Sequence, residues 1–211
     1  MRMRKKKHGA ERMEACGDLW LRSAEEEKLS SLIERRKLCV EIGCGKGDFI
    51  RETALRHPES FYIALEKVSD VIVVAMEKAK AAEIGNVRFI CGDVKLLEEY
   101  FGDSSIDEIY LNFSDPWPKA GHKKRRLTYR DYLEFYKRLL TDDGIIYFKT
   151  DNRPLFDFTL EEMEAANLEM SCITYDLHNS EYAADNVVTE YERTFSARGF
   201  TINRVVARKR K

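Results

Sequence analysis

Proline is scarce in this chain, four in 211 residues, and cysteine is sparse and scattered. The thiols at Cys16, Cys39, Cys44, Cys91 and Cys172 are odd in number and contain no Cys-x-x-Cys pair. An odd, scattered set without metal-ligand spacing suits neither a disulfide framework nor a zinc site, so reduced thiols, a cytoplasmic location and no bound metal are expected. The four histidines are equally dispersed. Long apolar runs are missing: the longest, around Val71 to Met76, is far too short to cross a bilayer. The basic N-terminus is not followed by an apolar signal region, which argues against export and against a membrane partner. Internal repeats and low-complexity linkers are absent. A single domain over 23–211, behind a basic, flexible arm over 1–22 anchored by Trp20, is the expected organisation.

Net charge is nearly absent at −1, but the charges are clustered. Arg2, Arg4, Lys5, Lys6 and Lys7 form one basic run. Lys119, Lys123, Lys124, Arg125 and Arg126 form a second, and Arg204, Arg208, Lys209, Arg210 and Lys211 a third. Basic runs are usually just solvated; a run beside a ligand edge suggests a polyanion.

Short apolar runs alternate with helical stretches. Strands are predicted over 38–42, 61–65, 86–91, 106–113, 145–149, 171–175 and 200–207. Helices are predicted over 23–37, 48–56, 68–82, 95–101, 128–140 and 155–166, the first with Ser23 and Glu26 at capping-box spacing. Thr141 to Gly144 reads as a turn. This order predicts an α/β fold: a doubly wound, mostly parallel seven-stranded sheet with helices on both faces. Only the loop 176–199, with no convincing long crossover helix, joins the last two strands, so at least one of them is expected to be antiparallel.

Between the first strand and its helix lies Glu41-x-Gly43-x-Gly45-x-Gly47. Glycines let backbone approach a ligand and take positive φ. A dinucleotide fingerprint would put its third glycine at position 48, which is Asp48, so the fit to a pyrophosphate is poor. Acids mark the next strand ends. Glu66 could accept both hydroxyls of a ribose, and Asp93 an adenine amino group. The alternative is that each merely caps the following helix. This pattern over about residues 38–152 resembles the class I S-adenosylmethionine-dependent methyltransferases, with their Rossmann-like fold.

The fourth strand runs into Asn112-Phe113-Ser114-Asp115-Pro116-Trp117-Pro118-Lys119. Pro116 cannot donate to a sheet ladder and holds Asp115 extended, so the strand ends there and delivers an acid, a flat ring and a cation to its C-terminal end. Ligands bind at that edge of open α/β sheets. A Pro-rich turn with an exposed Trp is the plainer alternative. Judged by their neighbours, Trp117 is favoured for the site and Tyr191 for core packing.

That stretch, His122 to Thr128, Lys149-Thr150-Asp151-Asn152, Thr189-Glu190-Tyr191-Glu192 and Arg2-x-Arg4 together resemble the bacterial tRNA (guanine-N7-)-methyltransferase family. Gly121 departs from it, where a basic residue is frequent. The resemblance implies methyl transfer from S-adenosyl-L-methionine to N7 of a guanosine in the tRNA variable loop. It assigns Glu41, Gly43, Gly45, Gly47, Glu66, Asp93 and Asp115 to the donor, with Asp115 also at the chemistry. Lys119, Asp151, Thr189, Glu190, Tyr191 and Glu192 would hold the nucleoside, and His122, Lys123, Lys124, Arg125 and Arg126 would touch RNA. Several members of the family are homodimers, so self-association is among its implications. Three other readings stand beside it: a methyltransferase for protein or small molecules, a non-enzymatic RNA-binding module, and a nicotinamide dehydrogenase, the last disfavoured by the glycine spacing.

Overall fold

The structure, a computed structural model, describes residues 8–23, 33 and 36–210. The basic run 2–7, Lys211 and nearly all of the helix predicted over 23–37 lie outside the described residues. The chain divides into two compact units, 1–102 and 103–211.

The first unit holds four strands in the order β1-β4-β3-β2, all parallel: β1 (Trp20–Leu21), β2 (Leu38–Ile42), β3 (Phe61–Glu66) and β4 (Val87–Cys91). All five residues of β2 are buried, as are five of six in β3. Parallel strands covered on both faces read as unbroken apolar runs, and these do. Helix α1 (Gly9–Glu14) comes first; α2 (Asp48–Arg56) and α3 (Ser69–Ala81) follow β2 and β3, and α4 (Leu97–Tyr100) closes the unit. Ile72, Val73, Ala75, Met76 and Ala79 form the buried stripe of α3, each large one stabilising by ~1.5–3 kcal/mol. The amide of Asn86, 8% exposed, donates to the carbonyls of Ala54, His57 and Ser60 at 3.0–3.2 Å and fixes the turn between α2 and β3.

The second unit holds β5 (Ile106–Asn112), β6 (Leu140–Thr150), β7 (Leu168–Thr174) and β8 (Asn203–Lys209) in the order β5-β6-β8-β7. β5 and β6 are parallel, and β8 is antiparallel to both neighbours, as the short final connection required. Helices α5 (Arg130–Leu139) and α6 (Arg153–Ala165) flank β6 in sequence, and α7 (Glu190–Ser196) precedes β8.

All seven predicted strands are present; the eighth among the described residues is β1. It lies in the stretch expected to be an unstructured arm, where residues 9–21 instead carry α1, a 3-10 turn and a strand paired with Phe89 and Ile90. Arg12 reaches Glu77 of α3 through Nε at 2.7 Å and so ties α1 down. Two further corrections concern the second unit. β6 runs through the predicted turn, with 141–144 forming a bulge between the Ile106↔Leu140 and Glu108↔Ile145 pairs. The loop 176–199 contains α7. Among the described residues no helix is long and apolar enough to cross a membrane, and no three His, Cys, Asp or Glu side chains cluster as a metal site.

Candidate active site

In the first unit, β2 ends in the glycine loop. Gly43, Gly45 and Gly47 all have positive φ, at 81°, 57° and 78°. A Cβ on Gly43 or Gly45 would meet no atom within 4 Å, so backbone there borders open space that a ligand can enter. Gly47 differs. Its Cβ would lie 2.6 Å from that of Ala75, so this glycine serves helix packing rather than ligand approach. The loop amides are turned inward. Gly43 and Cys44 donate to the Leu65 carbonyl at 2.7 and 3.0 Å, Gly47 to the Cys44 carbonyl, and Gly45 to Glu66 Oε2 at 3.2 Å. A phosphate-cradling nest would point those donors at the ligand; the loop is suited to one without a pyrophosphate.

Glu66 ends β3. Its Oε1 accepts from the Val68 amide at 2.9 Å, so it braces the start of α3 and the glycine loop at once. A carboxylate accepts about four hydrogen bonds, which leaves capacity for a diol. Asp93 caps the 3-10 turn after β4 through Lys95 N at 3.3 Å and pairs with Lys67 at 3.3 Å. The capping alternative weighed from sequence is therefore realised for Asp93, on an exposed carboxylate. Glu41 is only 2% exposed. Its charge and that of Glu66 act with burial, the largest cause, to push the Cys44 thiol well above the ordinary range.

In the second unit, β5 ends at Asn112, and Phe113 donates its amide to the Lys149 carbonyl at 2.9 Å. Phe113 and Trp117 both have positive φ, 53° and 40°. Bulky residues in that region are outliers that a local framework must hold in place. They bracket Ser114-Asp115-Pro116, and the framework is Arg126. Its Nε donates to the Pro116 carbonyl at 2.9 Å and its Nη2 to that of Trp117 at 3.1 Å. Asp115 is exposed, and the Ser114 hydroxyl is buried with no hydrogen-bond partner in the protein. Both atoms suit a ligand at this loop.

The basic run 120–125 is a 3-10 helix. Lys119, Lys123, Lys124 and Arg125 are exposed, whereas His122 and Arg126 are half-buried. Arg125 lies 5.0 Å over the Trp117 ring and His122 meets it edge-on at 5.8 Å. Trp117 is thus clad by its own loop. Tyr191, expected in the core, is 42% exposed, and its hydroxyl donates to Asp151 at 3.4–3.5 Å. Burial first, then Asp151, pushes that phenol up to about 12.

Thr189 and Glu192 have capping-box spacing, and only half of the box forms. Thr189 Oγ1 accepts from Glu192 N at 2.9 Å. The Glu192 carboxylate, 0% exposed, turns away to Lys149 Nζ at 2.6 Å, His178 Nε2 at 2.7 Å and Asn186 Nδ2 at 2.5 Å. Lys149 also donates to Asn186 Oδ1 at 2.9 Å and to the Val187 carbonyl at 2.8 Å. Burial alone would raise the Glu192 carboxyl; the Lys149 charge and these hydrogen bonds outweigh it and hold the group below the ordinary range. Glu192 is therefore a buried brace that ties α7 to Lys149, His178 and Asn186 rather than a surface presented to ligand. The motifs around Asp115 and Asp151 contain Phe113, Ser114 and Lys149 but assign them no role of their own, and nothing in the sequence points to His178 or Asn186. A lysine inside an otherwise apolar strand, Ile145 to Thr150, is the further signal for the buried pair.

A family described as "Putative methyltransferase" matches residues 35–205. The tRNA (guanine-N(7)-)-methyltransferase of Brevibacillus brevis is 50% identical over 168 residues, 80% of this chain and 78% of that protein. The protein of the same name from Listeria innocua is 43% identical over 99% of this chain and 98% of its own length. Among solved structures, the 16S rRNA methyltransferase KamB gives a TM-score of 0.62 at 12% identity, covering 86% of this chain and 91% of that one. An antibiotic-related methyltransferase gives 0.61 at 15%, covering 89% and 96%. These two likenesses establish the Rossmann-like methyltransferase fold, and the two relatives establish the closer kinship: the chain belongs to the tRNA (guanine-N(7)-)-methyltransferase family of enzymes.

Proposed function

We propose that this protein transfers the methyl group of S-adenosyl-L-methionine to N7 of a guanosine in the variable loop of tRNA, in the cytoplasm. The observation that carries the reading is 43% identity across 99% of the chain with a protein named tRNA (guanine-N(7)-)-methyltransferase; the donor, the variable loop and the cytoplasm are what the family resemblance adds. The donor supplies a methyl on a positively charged sulfur, ready for attack. Guanine N7 carries an in-plane lone pair and no proton. Neither a general base nor a metal is needed to create the nucleophile, so the protein's task is placement. Holding the reactants in line is worth ~7–11 kcal/mol.

The donor residues follow from the first unit. Glu66 accepts the ribose hydroxyls with the lone pairs its two backbone contacts leave over. Gly43 and Gly45 let the donor pass close to backbone, and their inward-turned amides suit a ligand without phosphate. Glu41 and Asp93 complete the acidic set. In the second unit, Asp115 accepts from the guanine N1–H and amino group as a clamp, and the Ser114 hydroxyl gains a partner when the nucleoside arrives. Those guanine donors lie on the Watson–Crick edge, so the base leaves its pairing at a cost of a few kcal/mol. Asp151, aligned by Tyr191, and Lys119 hold the nucleoside, while Lys123, Lys124 and Arg125 meet phosphates. Thr189 and Glu192 act through the start of α7, which they fix. Self-association follows the family resemblance and is checked by light scattering on the same preparation.

Incubation with methyl-labelled S-adenosylmethionine and an unmodified tRNA transcript tests the proposal. Label recovered as 7-methylguanosine from the variable loop supports it; label on protein, on another base, or on nothing rejects it.

A further inference from the structure

Phe113 starts a row of rings that continues past the residues assigned to the nucleoside and ends at the surface. Its ring lies 5.0 Å from that of Tyr191, Tyr191 stacks on Phe195 at 4.1 Å and 18°, and Phe195 meets Phe200 at 5.6 Å and 60°. Phe113 and Phe195 are half-buried, whereas Tyr191 is 42% and Phe200 51% exposed. Phe200 is not on a loose loop. It follows Gly199 at φ 86°, and its amide donates to the Phe195 carbonyl at 3.2 Å, so the end of α7 holds it in place. The Arg198 guanidinium stands 5.4 Å from the Phe195 ring. A rigid, half-exposed aromatic with a cation on the ring that supports it suits single-stranded nucleic acid bound without reading sequence, since every base has a flat face.

We propose that Phe200, joined to Tyr191 through Phe195, forms a stacking platform for an unpaired nucleobase neighbouring the target guanosine, with Arg198 meeting its phosphate. The inference rests on the proposed tRNA substrate. Drawing one base out of a folded RNA unstacks its neighbours, and a platform continuous with Asp151 and Tyr191 takes one of them up. Continuity with those residues, together with Arg198, favours RNA over a protein partner for this patch.

The test is the affinity of the full chain for an unmodified tRNA transcript, read by fluorescence anisotropy for wild type, Phe200→Leu and Phe200→Trp. Leucine keeps the apolar contact with Phe195 but has no aromatic face; tryptophan restores one. Calorimetric binding of S-adenosylhomocysteine serves as the check on folding. Phe200→Leu is expected to bind tRNA about 5- to 50-fold more weakly, with donor affinity unchanged and Phe200→Trp within about twofold of wild type. Phe200→Leu within about twofold of wild type overturns the platform and hands the patch to a protein partner. Phe200→Trp as weak as Phe200→Leu also overturns it. A wild-type protein that binds the transcript without methylating it refutes the proposed reaction, while the platform is still decided by the binding series.

Discussion

Lys149 and Glu192 are the pair on which the second unit's site stands. Their side chains are 6% and 0% exposed, with Nζ and Oε2 2.6 Å apart. Removing one partner of such a pair strands the other charge, at a cost of about 3–5 kcal/mol. Glu192→Gln is therefore expected to lower unfolding free energy by that amount near neutral pH, measured by urea denaturation. The pH dependence has a fixed sign. The folded carboxyl titrates below its ordinary value of 4.5, so the ionised pair contributes fully above that value and loses its contribution as pH falls through the folded one. The gap between wild type and Glu192→Gln should close in that acid window; a gap independent of pH contradicts the pairing. Asp115 is a different case, exposed and proposed as a clamp. Asp115→Asn keeps one acceptor and turns the other into a donor facing the guanine amino group. Turnover is expected to fall roughly 10- to 100-fold, as loss of charge-assisted hydrogen bonds implies. Calorimetric donor affinity should stay near wild type, and a wild-type rate would reject the clamp.

The elements around these residues differ in how openly the sequence shows them. β2 and α2 have the predicted bounds, 38–42 and 48–56, because a buried parallel strand is an unbroken apolar run and a glycine loop punctuates its end. β1 is two residues long and α7 seven, too short to show a period; pairing with β4 and the Lys149 contact make them. Thr141 to Gly144, whose residue types predict a turn, instead form a bulge inside the continuous strand β6. A Cβ on buried Gly144 would lie 2.8 Å from that of Leu140. At the site, the strand-end acids were visible because a strand end is a sequence position. The destination of the Glu192 carboxylate was not, since Lys149 and His178 are 43 and 14 residues away. The three glycines of the loop look alike in sequence and divide in structure. Gly47→Ala is expected to destabilise by about 1–3 kcal/mol, because its Cβ would collide with Ala75. Gly43→Ala meets no such collision and carries only the backbone strain of its φ of 81°, which Gly47 at 78° shares, so it should destabilise less than Gly47→Ala and act more on donor binding. Thermal melts with and without S-adenosylhomocysteine separate the two; equal melting shifts for both contradict the division.

For the whole molecule, a net charge of −1 conceals an exposed basic segment that suits a polyanion. Its members have separate duties. Lys123→Gln and Lys124→Gln should flatten the log–log salt dependence of tRNA affinity by up to about 0.7–0.9 per lost phosphate contact. Arg126→Gln should instead lower turnover with little change in slope, because its guanidinium holds the Pro116 and Trp117 carbonyls. Slopes that change equally for all three would dissolve that distinction. Beneath both effects lies the claim that the protein aims a donor methyl at a ready-made lone pair and needs no proton transfer to do so. The most direct measurement replaces the target guanosine of the tRNA by 7-deazaguanosine, which keeps the Watson–Crick edge and lacks the N7 lone pair. Binding should match that of the natural transcript while methyl transfer disappears. Transfer that persists, at any other atom of that base, would contradict the account.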